Sequence, residues 1–367
     1  MAEFEVKVLP ITTEEHPNAD AIELAIIGDY RSIVAKDQFE DGDLVAYIPE
    51  GSIVPDWILE QMNLTGKLAG KDGNRVKAIR LRGIVSQGLA FPIPPSSVIK
   101  TPEGIDHTLS EGDDVAEILG ITKYEPPIPI HMAGEVRNTF GYHVPYDIEN
   151  IKKFPDAFED GEQVIITEKL HGTWCCWGWV PELGRLITSK GLNKSGLSFK
   201  LNEANQNNLY IKTLANSNVG DGDILERFSD MFYKTNAIKP IYLFGEIFGG
   251  NVQDLKYGLT EPQFRLFDIY IGDPNRGGCF VNHAELQEYA YHLGVETVPV
   301  LYEGPYSKEI LLEHTNGKET ISGDGVNIRE GVAVRPITER RDPTIGRVLL
   351  KSVSDAYLLR KNATEYN

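Results

Sequence analysis

Cysteine is nearly missing from this chain. There are three in 367 residues, Cys175, Cys176 and Cys279, with neither an even count nor a metal-ligand spacing. A disulfide framework, a disulfide-linked partner and a thiolate metal site are therefore not expected. Cys175 and Cys176 are adjacent, so on one strand they point to opposite faces, which fits a reducing compartment. No apolar run approaches the roughly 20 residues that cross a bilayer. The opening MAEFEVKVLPITTEEHP has neither the basic start nor the long apolar core of a signal peptide, so the expectation is a cytoplasmic protein without membrane contact. Positive charge is scarce as well. Thirty-six basic residues against fifty-four acidic ones give a net charge of -18, which excludes a general polycation that grips nucleic acid over its whole surface. Affinity for a polyanion has to come from a local patch.

One such patch is present. Between Lys67 and Arg82 there are six basic residues, Lys67, Lys71, Arg75, Lys77, Arg80 and Arg82, against the single acid Asp72. Arg80 and Arg82 are two apart in a stretch read as a strand from Val76 to Arg82, so they are expected to share a face opposite Ile79 and Leu81. The patch reads as a phosphate-tracking surface or as a solvated strand face that offsets an acidic domain. Around it, short apolar strands such as Ser32 to Ala35 and Leu44 to Ile48 alternate with Asp-Gly and Pro-Glu-Gly turns, which predicts a small closed barrel. Residues 15–55 and 79–94 resemble the tRNA-binding OB domain attached to some aminoacyl-tRNA synthetases. After it, Pro126, Pro127 and Pro129 stiffen the chain. The expected layout is an OB domain over 1–122, a Pro-rich linker over 123–130 and a second domain over 131–367.

Five elements of the second half carry chemistry. In ITEKLHGTW the apolar run Val164, Ile165, Ile166 leads to Lys169, followed by His171 and Gly172. A lysine amine attacks only when deprotonated, and burial beside other cations lowers that cost. Lys169 is thus a candidate covalent nucleophile, although an ordinary strand-end lysine has the same sequence pattern. Gly172 would let a nucleotide approach the backbone. YLFGEIFGG, 242–250, delivers Glu246 between glycine-bearing turns. FRLFDIYI, 264–271, is aromatic-rich and able to offer a ring face to a purine. EGVAVRP, 330–336, opens with Glu330 and exposes an alternating Val332, Val334 face. RVLLKSVSDAYL, 347–358, sets Lys351 just past an apolar strand. Helical periodicity is clearest over Phe199 to Leu214 and Ala284 to Leu293.

In order and in spelling, TEKLHGT, FGEIFG and LFDI resemble the nucleotidyltransferase motifs of ATP-dependent RNA ligases, nearest the RNA ligase 2 group, over about residues 150–358. That resemblance implies an α+β fold: an N-terminal OB-fold β-barrel followed by a covalent adenylyltransferase domain of antiparallel sheets flanked by helices. It implies that Lys169 carries AMP as a lysyl phosphoramidate, with Glu168 and Leu170 flanking it in the nucleotide site. Glu246 would bind the ribose, Phe267 would stack on adenine, Glu330 would help hold Mg2+ or Mn2+, and Lys190 and Lys351 would contact phosphate. Two positions depart from the pattern. Leu349 stands where the last motif usually has its first lysine, with Arg347 as a candidate substitute, and Trp174 stands where relatives often have asparagine. The role of His171 is open between contacting phosphate and closing the turn.

Only sixteen residues follow Lys351, and a barrel at the N-terminal side resembles the Deinococcus-type nick-sealing RNA ligases. The expected substrate is then a nicked RNA-containing duplex, with AMP passed from Lys169 to a 5′-phosphate that an adjacent 3′-hydroxyl attacks. The alternatives are a DNA ligase, a GTP-using covalent nucleotidyltransferase, and a non-catalytic tRNA- or RNA-binding module.

Overall fold

Period-two alternation builds the first half of the chain. The structure, a computed structural model, describes residues 4–217, 239–323, 325–361 and 363–364. It divides into two units, one running to residue 125 and including 150–156, the other made of 126–149 and the chain from 157 onward.

The strands of the first unit include β1 (Lys7–Pro10), β2 (Thr12–Glu15), β3 (Ile22–Ile27), β4 (Tyr30–Ala35), β5 (Leu44–Ile48), β6 (Ile79–Leu81), β7 (Ile84–Ser86) and β8 (Leu89–Pro92). On β5, Val45 and Tyr47 join one apolar cluster with Ile27 and Ala90, while Ala46 and Ile48 join another with Val8, Ile58 and Phe91. One strand thus feeds two cores through its alternating faces. The closed barrel expected from the sequence is not completed by strand pairing. β2-β3-β4 and β1-β5-β8 form separate three-stranded sheets, and the chain passes from one to the other by bending at buried Ile11. Between β4 and the 86–92 segment, single bonds replace a ladder. The Gln87 N–H donates to the Arg31 carbonyl at 2.8 Å, the Ser32 hydroxyl to the Gln87 carbonyl at 2.9 Å, and the Ile33 N–H to Ser86 Oγ at 2.9 Å.

The second unit is built on two antiparallel sheets. In the first, β9 (Gln163–Lys169) lies between β14 (Val300–Pro305) and β15 (Gly331–Pro336), and β15 also pairs with β16 (Leu350–Val353). In the second, β10 (Gly172–Val180) lies between β11 (Gly184–Ser189) and β12 (Ile241–Gly249), which pairs in turn with β13 (Pro262–Ile271). One face of this second sheet packs Trp177, Leu243, Ile247 and Leu266 against Tyr210 and Leu214 of α2 (Leu209–Ala215) and Leu286 and Leu293 of α3 (His283–Leu293). Each of these buried side chains contributes about 1.5–3 kcal/mol by leaving water. Cys175 joins that core, while Cys176 joins the cluster on the other face with Phe244 and Tyr242.

The helix expected from Ala284 forms as α3. Asn282 and Glu285 make a reciprocal capping box at its start, and Gly294, at φ 64°, ends it. The helix expected from Phe199 does not run as read. Phe199 ends a short strand, and helix α2 starts only at Leu209. Three asparagines explain the delay. Asn202 and Asn205 use their side chains on the backbone of the intervening turn, and Asn208 accepts from the Tyr210 N–H at 3.0 Å as the true N-cap.

Gly245 tests this packing. A Cβ there would meet the Phe264 ring at 2.2 Å and the Arg265 carbonyl oxygen at 2.5 Å. Gly245→Ala is expected to destabilise the second unit by about 1–3 kcal/mol, read as a lower urea midpoint. An unchanged midpoint would contradict the strand spacing.

Candidate active site

β9 leaves the first sheet at Lys169 and β10 enters the second at Gly172, so two residues alone carry the chain across. Register places Lys169 opposite Gly331, which brings the preceding Glu330 alongside it. Lys169 Nζ lies 2.7 Å from Glu330 Oε1. Burial alone would lower the Lys169 amine, but the Glu330 and Glu246 carboxylates outweigh it and hold the amine above its ordinary value.

A cleft of about 230 Å³ opens beside this pair. Lys190, Glu246, Phe267 and Lys351 all line it, as do Glu168 and Leu170. Lys190 is the first residue of α1 (Lys190–Lys194), whose N-cap is Ser189, and its Nζ is 2.9 Å from Asp147 Oδ1. Lys351 is on β16, and its side-chain amine has no hydrogen-bond partner among the described residues. Burial, reinforced by Lys190 and Lys169, brings its amine down to about 8. Glu246 has the opposite problem. Burial pushes its carboxyl up to about 8 despite the attraction of Lys169. The Glu168 carboxylate accepts from the Thr320 N–H at 3.0 Å and hydroxyl at 2.6 Å, so its side chain is already engaged.

Alternation along β13 sends Phe267 to the face opposite Phe264 and Leu266. Phe244 pairs with Asp268 and Gly245 with Leu266, which leaves Phe267 as the extra residue on β13. Phe264 and Leu266 go into the core, while Phe267 turns toward the cleft, 5.4 Å between ring centroids from Tyr146. Tyr146 stacks on Phe244 at 4.8 Å and donates its hydroxyl to Asp268 at 2.9 Å.

Several expectations need correction. Glu246 is not between turns: it sits inside the nine-residue strand β12, whose other residues are all buried. Val332 and Val334 are fully buried, because β15 is an inner strand with cover on that face. Lys351 lies within β16 and not beyond it. Gly172 is required by strand packing, since a Cβ there would meet the Ile247 carbonyl oxygen at 2.1 Å. Arg347 does not substitute for a lysine at Leu349. Its guanidinium is spent on Asp268 and Glu339, 2.6 Å from Glu339 Oε1, and lies over the Phe280 ring, while Leu349 forms an apolar part of the cleft wall. The guanidinium that does reach the cleft is that of Arg335, 3.3 Å from Asp268. Alternation could have found it, because Arg335 shares a face with Ala333, another lining residue. Trp174, the last residue of ITEKLHGTW, also lines the cleft, as do Tyr146 and Asp147, which no motif or spacing in the sequence assigns to it.

The basic stretch of the first unit folds differently from its reading too. Arg82, at φ 47°, and Gly83, at φ 92°, form the two-residue turn between β6 and β7, so Arg82 shares no strand face with Arg80. Arg80 donates back to the Gly83 carbonyl at 3.0 Å. Ile79 and Leu81 are 49% and 41% exposed, because nothing covers this short hairpin. Lys67, Arg75 and Lys77 line a groove of about 520 Å³ together with Ile79 and Leu81, and Lys71 is exposed nearby in sequence.

Fold and cleft define an OB-fold unit followed by a ligase-type nucleotidyltransferase unit. A family model described as RNA ligase matches residues 162–353, and an OB-fold domain model matches residues 7–93. The chain belongs to the RNA ligase family. Its fold is similar to that of Naegleria gruberi RNA ligase. The structure of that enzyme with PPi aligns with a TM-score of 0.76 at 23% identity, covering 97% of this chain and 98% of the other. A variant with ATP and Mn gives 0.77 at 24% over 97% and 98%, and a variant with AMP and Mn gives 0.74 at 23% over 96% and 97%. No curated protein matches the sequence.

The Glu246 carboxyl makes stability depend on pH. Below its ordinary value of 4.5 both folded and unfolded states hold the proton. Between 4.5 and about 8 the unfolded carboxyl ionises while the folded one does not, so this group costs stability increasingly as pH rises. Glu246→Gln is expected to melt several degrees above the wild type at pH 8 and to converge with it near pH 4.5, of the order of a few kcal/mol. A wild type more stable than the variant at pH 8 would contradict the burial of this carboxyl.

Proposed function

We propose that this chain is an ATP-dependent RNA ligase that seals nicks in duplexes with RNA on the 3′-hydroxyl side, with Lys169 as its nucleophile. The observation that carries the reading is convergence. Lys169, Lys190, Glu246, Phe267 and Lys351 come from five separate elements and line one cleft. Three cations suit the phosphates of a nucleoside triphosphate, the bulged Phe267 offers a ring for the purine, and Glu246 is placed to accept from a ribose hydroxyl. The family supports the reaction class, and the ATP, AMP and manganese in the Naegleria gruberi structures support ATP as the nucleotide.

Before it can attack, Lys169 must lose the proton that Glu330, 2.7 Å away, stabilises. Its lone pair then forms the N–P bond to the α-phosphorus, the bond to pyrophosphate breaks with its electrons on the leaving oxygen, and the amine proton passes to solvent. Glu330 fits as the oxygen ligand for magnesium or manganese, a hard-cation donor already held at the nucleophile. When bound, the cation supplies positive charge that offsets the phosphates and competes with Lys169 for Glu330. Lys351 has no carboxylate partner among the described residues and is the cation readiest to meet phosphate. The AMP then passes to the 5′-phosphate of the nick, where attack by the 3′-hydroxyl expels it and closes the phosphodiester.

The basic groups of the first unit, the exposed Lys67, Lys71, Lys77, Arg80 and Arg82 together with the half-buried Arg75, are assigned to the RNA backbone. Free thiols at Cys175, Cys176 and Cys279 support a reducing, cytoplasmic setting.

Sealing of nicked duplexes that differ only in ribose or deoxyribose at the 3′-hydroxyl end tests the reading. With ATP and magnesium or manganese, the ribose nick is expected to close and the deoxyribose nick to lag, while GTP supports neither. Equal closure of both would make the enzyme a general polynucleotide ligase, and closure with GTP in place of ATP would overturn the nucleotide assignment. Replacing Lys67 and Lys77 by Ala should weaken binding to the nick and lower the slope of log affinity against log salt by about 1 for each lysine that meets a phosphate. A slope unchanged in both variants would remove these lysines from the RNA surface.

A further inference from the structure

The two residues that carry the chain from β9 to β10 are pinned from every side. The His171 N–H donates to the Tyr257 hydroxyl at 2.6 Å, and the Gly172 carbonyl accepts from the Gln253 amide at 2.6 Å. Leu170 is buried among Phe248, Tyr257, Val298 and Tyr357. The His171 ring is 96% covered and has a partner at each nitrogen: Nδ1 lies 2.8 Å from the Tyr357 hydroxyl and Nε2 2.9 Å from Asp254 Oδ1. Nδ1 also lies 3.8 Å from Glu330 Oε2, the carboxylate whose other oxygen holds Lys169. Contact with phosphate is therefore not open to this ring without breaking one of these bonds.

Asp254 is fixed in turn by residues from the end of the described chain. Arg360 donates through Nε to Asp254 Oδ2 at 2.9 Å, and the Thr364 N–H donates to Oδ1 at 3.0 Å. Arg360 also donates to the Tyr357 carbonyl at 2.9 Å and lies 3.6 Å over the Tyr357 ring, which ties it to α4 (Asp355–Leu358). Burial works against a charge on Asp254, yet the bonds from His171, Arg360 and Thr364 outweigh it and hold the carboxyl far below the usual range. Neither Asp254 nor Arg360 lines the cleft beside Lys169. What they reach is His171.

We propose that Asp254 and Arg360 are positioning residues for the ligase reaction: they clamp the His171 ring, and through it the Lys169 to Gly172 crossing and the Glu330 carboxylate, in the geometry from which Lys169 attacks. The clamp rests on the ligase reading of Lys169 and adds to it a set of residues outside every motif that marks the cleft. Its physical basis is that in-line attack tolerates little displacement, and a nucleophile at the end of a strand is only as fixed as the turn that follows it. The Tyr357 hydroxyl closes the clamp on the opposite side of the ring.

Single-turnover formation of the lysine–AMP adduct on the full chain, followed by intact mass over a range of ATP concentrations, tests the clamp. Arg360→Ala is expected to lower the rate at saturating ATP about tenfold or more while the half-saturating ATP concentration stays within about threefold, because Arg360 does not touch the nucleotide cleft. Arg360→Lys should recover much of that rate by restoring one bond to Asp254. Tyr357→Phe removes a single hydroxyl and leaves the ring packed. It should lose rate in the same way, and it decides the matter alone if Arg360→Ala does not fold. Rates within twofold of wild type in both Arg360→Ala and Tyr357→Phe would overturn the clamp, as would a raised half-saturation with an unchanged rate. Absence of any adduct in the wild type would instead overturn the ligase reading itself, so the two failures are distinct.

Discussion

The ion pair between Lys169 and Glu330, 2.7 Å long, is the contact on which the second unit turns. It forms because antiparallel register sets β15 against β9 with Gly331 opposite Lys169, so the residue before Gly331 comes to lie beside Lys169. Its effect on reactivity is inhibitory. A lysine this enclosed would lose its proton more readily than one in water, but two carboxylates reverse that tendency. Each pKa unit of that reversal is about 1.4 kcal/mol that nucleotide and metal must overcome when they bind.

Charge in the cleft follows the same logic. Lys190 is matched by Asp147, Lys169 by Glu330, and Arg335 and Arg347 by Asp268. The Lys351 amine alone lacks an ion-pair partner among the described residues of the cleft, and burial together with Lys190 and Lys169 depresses it. A protein of net charge -18 can thus carry a cation-rich cleft, because the charges that matter there are local and partly desolvated. In the groove of the first unit the basic side chains of Lys67 and Lys77 are exposed to solvent, while Arg75 lies 3.6 Å over the Tyr124 ring.

Much of this arrangement is legible in the amino-acid sequence. An apolar run that ends in a lysine or encloses a glutamate reads as a strand because few other arrangements satisfy it, and the strands bearing Lys169, Glu246, Phe267 and Lys351 form where those runs lie. The two-part fold is readable from turn spacing and from motif resemblance. What escapes a linear reading depends on partners distant in sequence. The bulge at Phe267, which returns Ile269 to the core face of Phe264 and Leu266, is a property of the pairing with β12, and nothing in FRLFDIYI marks it. Arg347 has the spacing of a substitute, but Asp268 and Glu339 claim it. Asp254 and Arg360 lie in stretches without motif or periodicity, and their meeting at His171 is visible only once the chain is folded. Arg82 leaves the expected strand for a local reason: Arg82-Gly83 forms a tight turn, although only its glycine signals one.

The central claim is that Lys169 becomes covalently bonded to AMP. The most direct measurement is intact mass of the pure protein after incubation with ATP and magnesium or manganese, with Lys169→Ala in parallel and any AMP carried through purification first removed by pyrophosphate. The account predicts one added AMP on the wild type, labile to acid as a phosphoramidate is, located on Lys169 by peptide mapping and missing from the variant. A wild type that gains no mass with either metal, or a variant that gains as much, would contradict it.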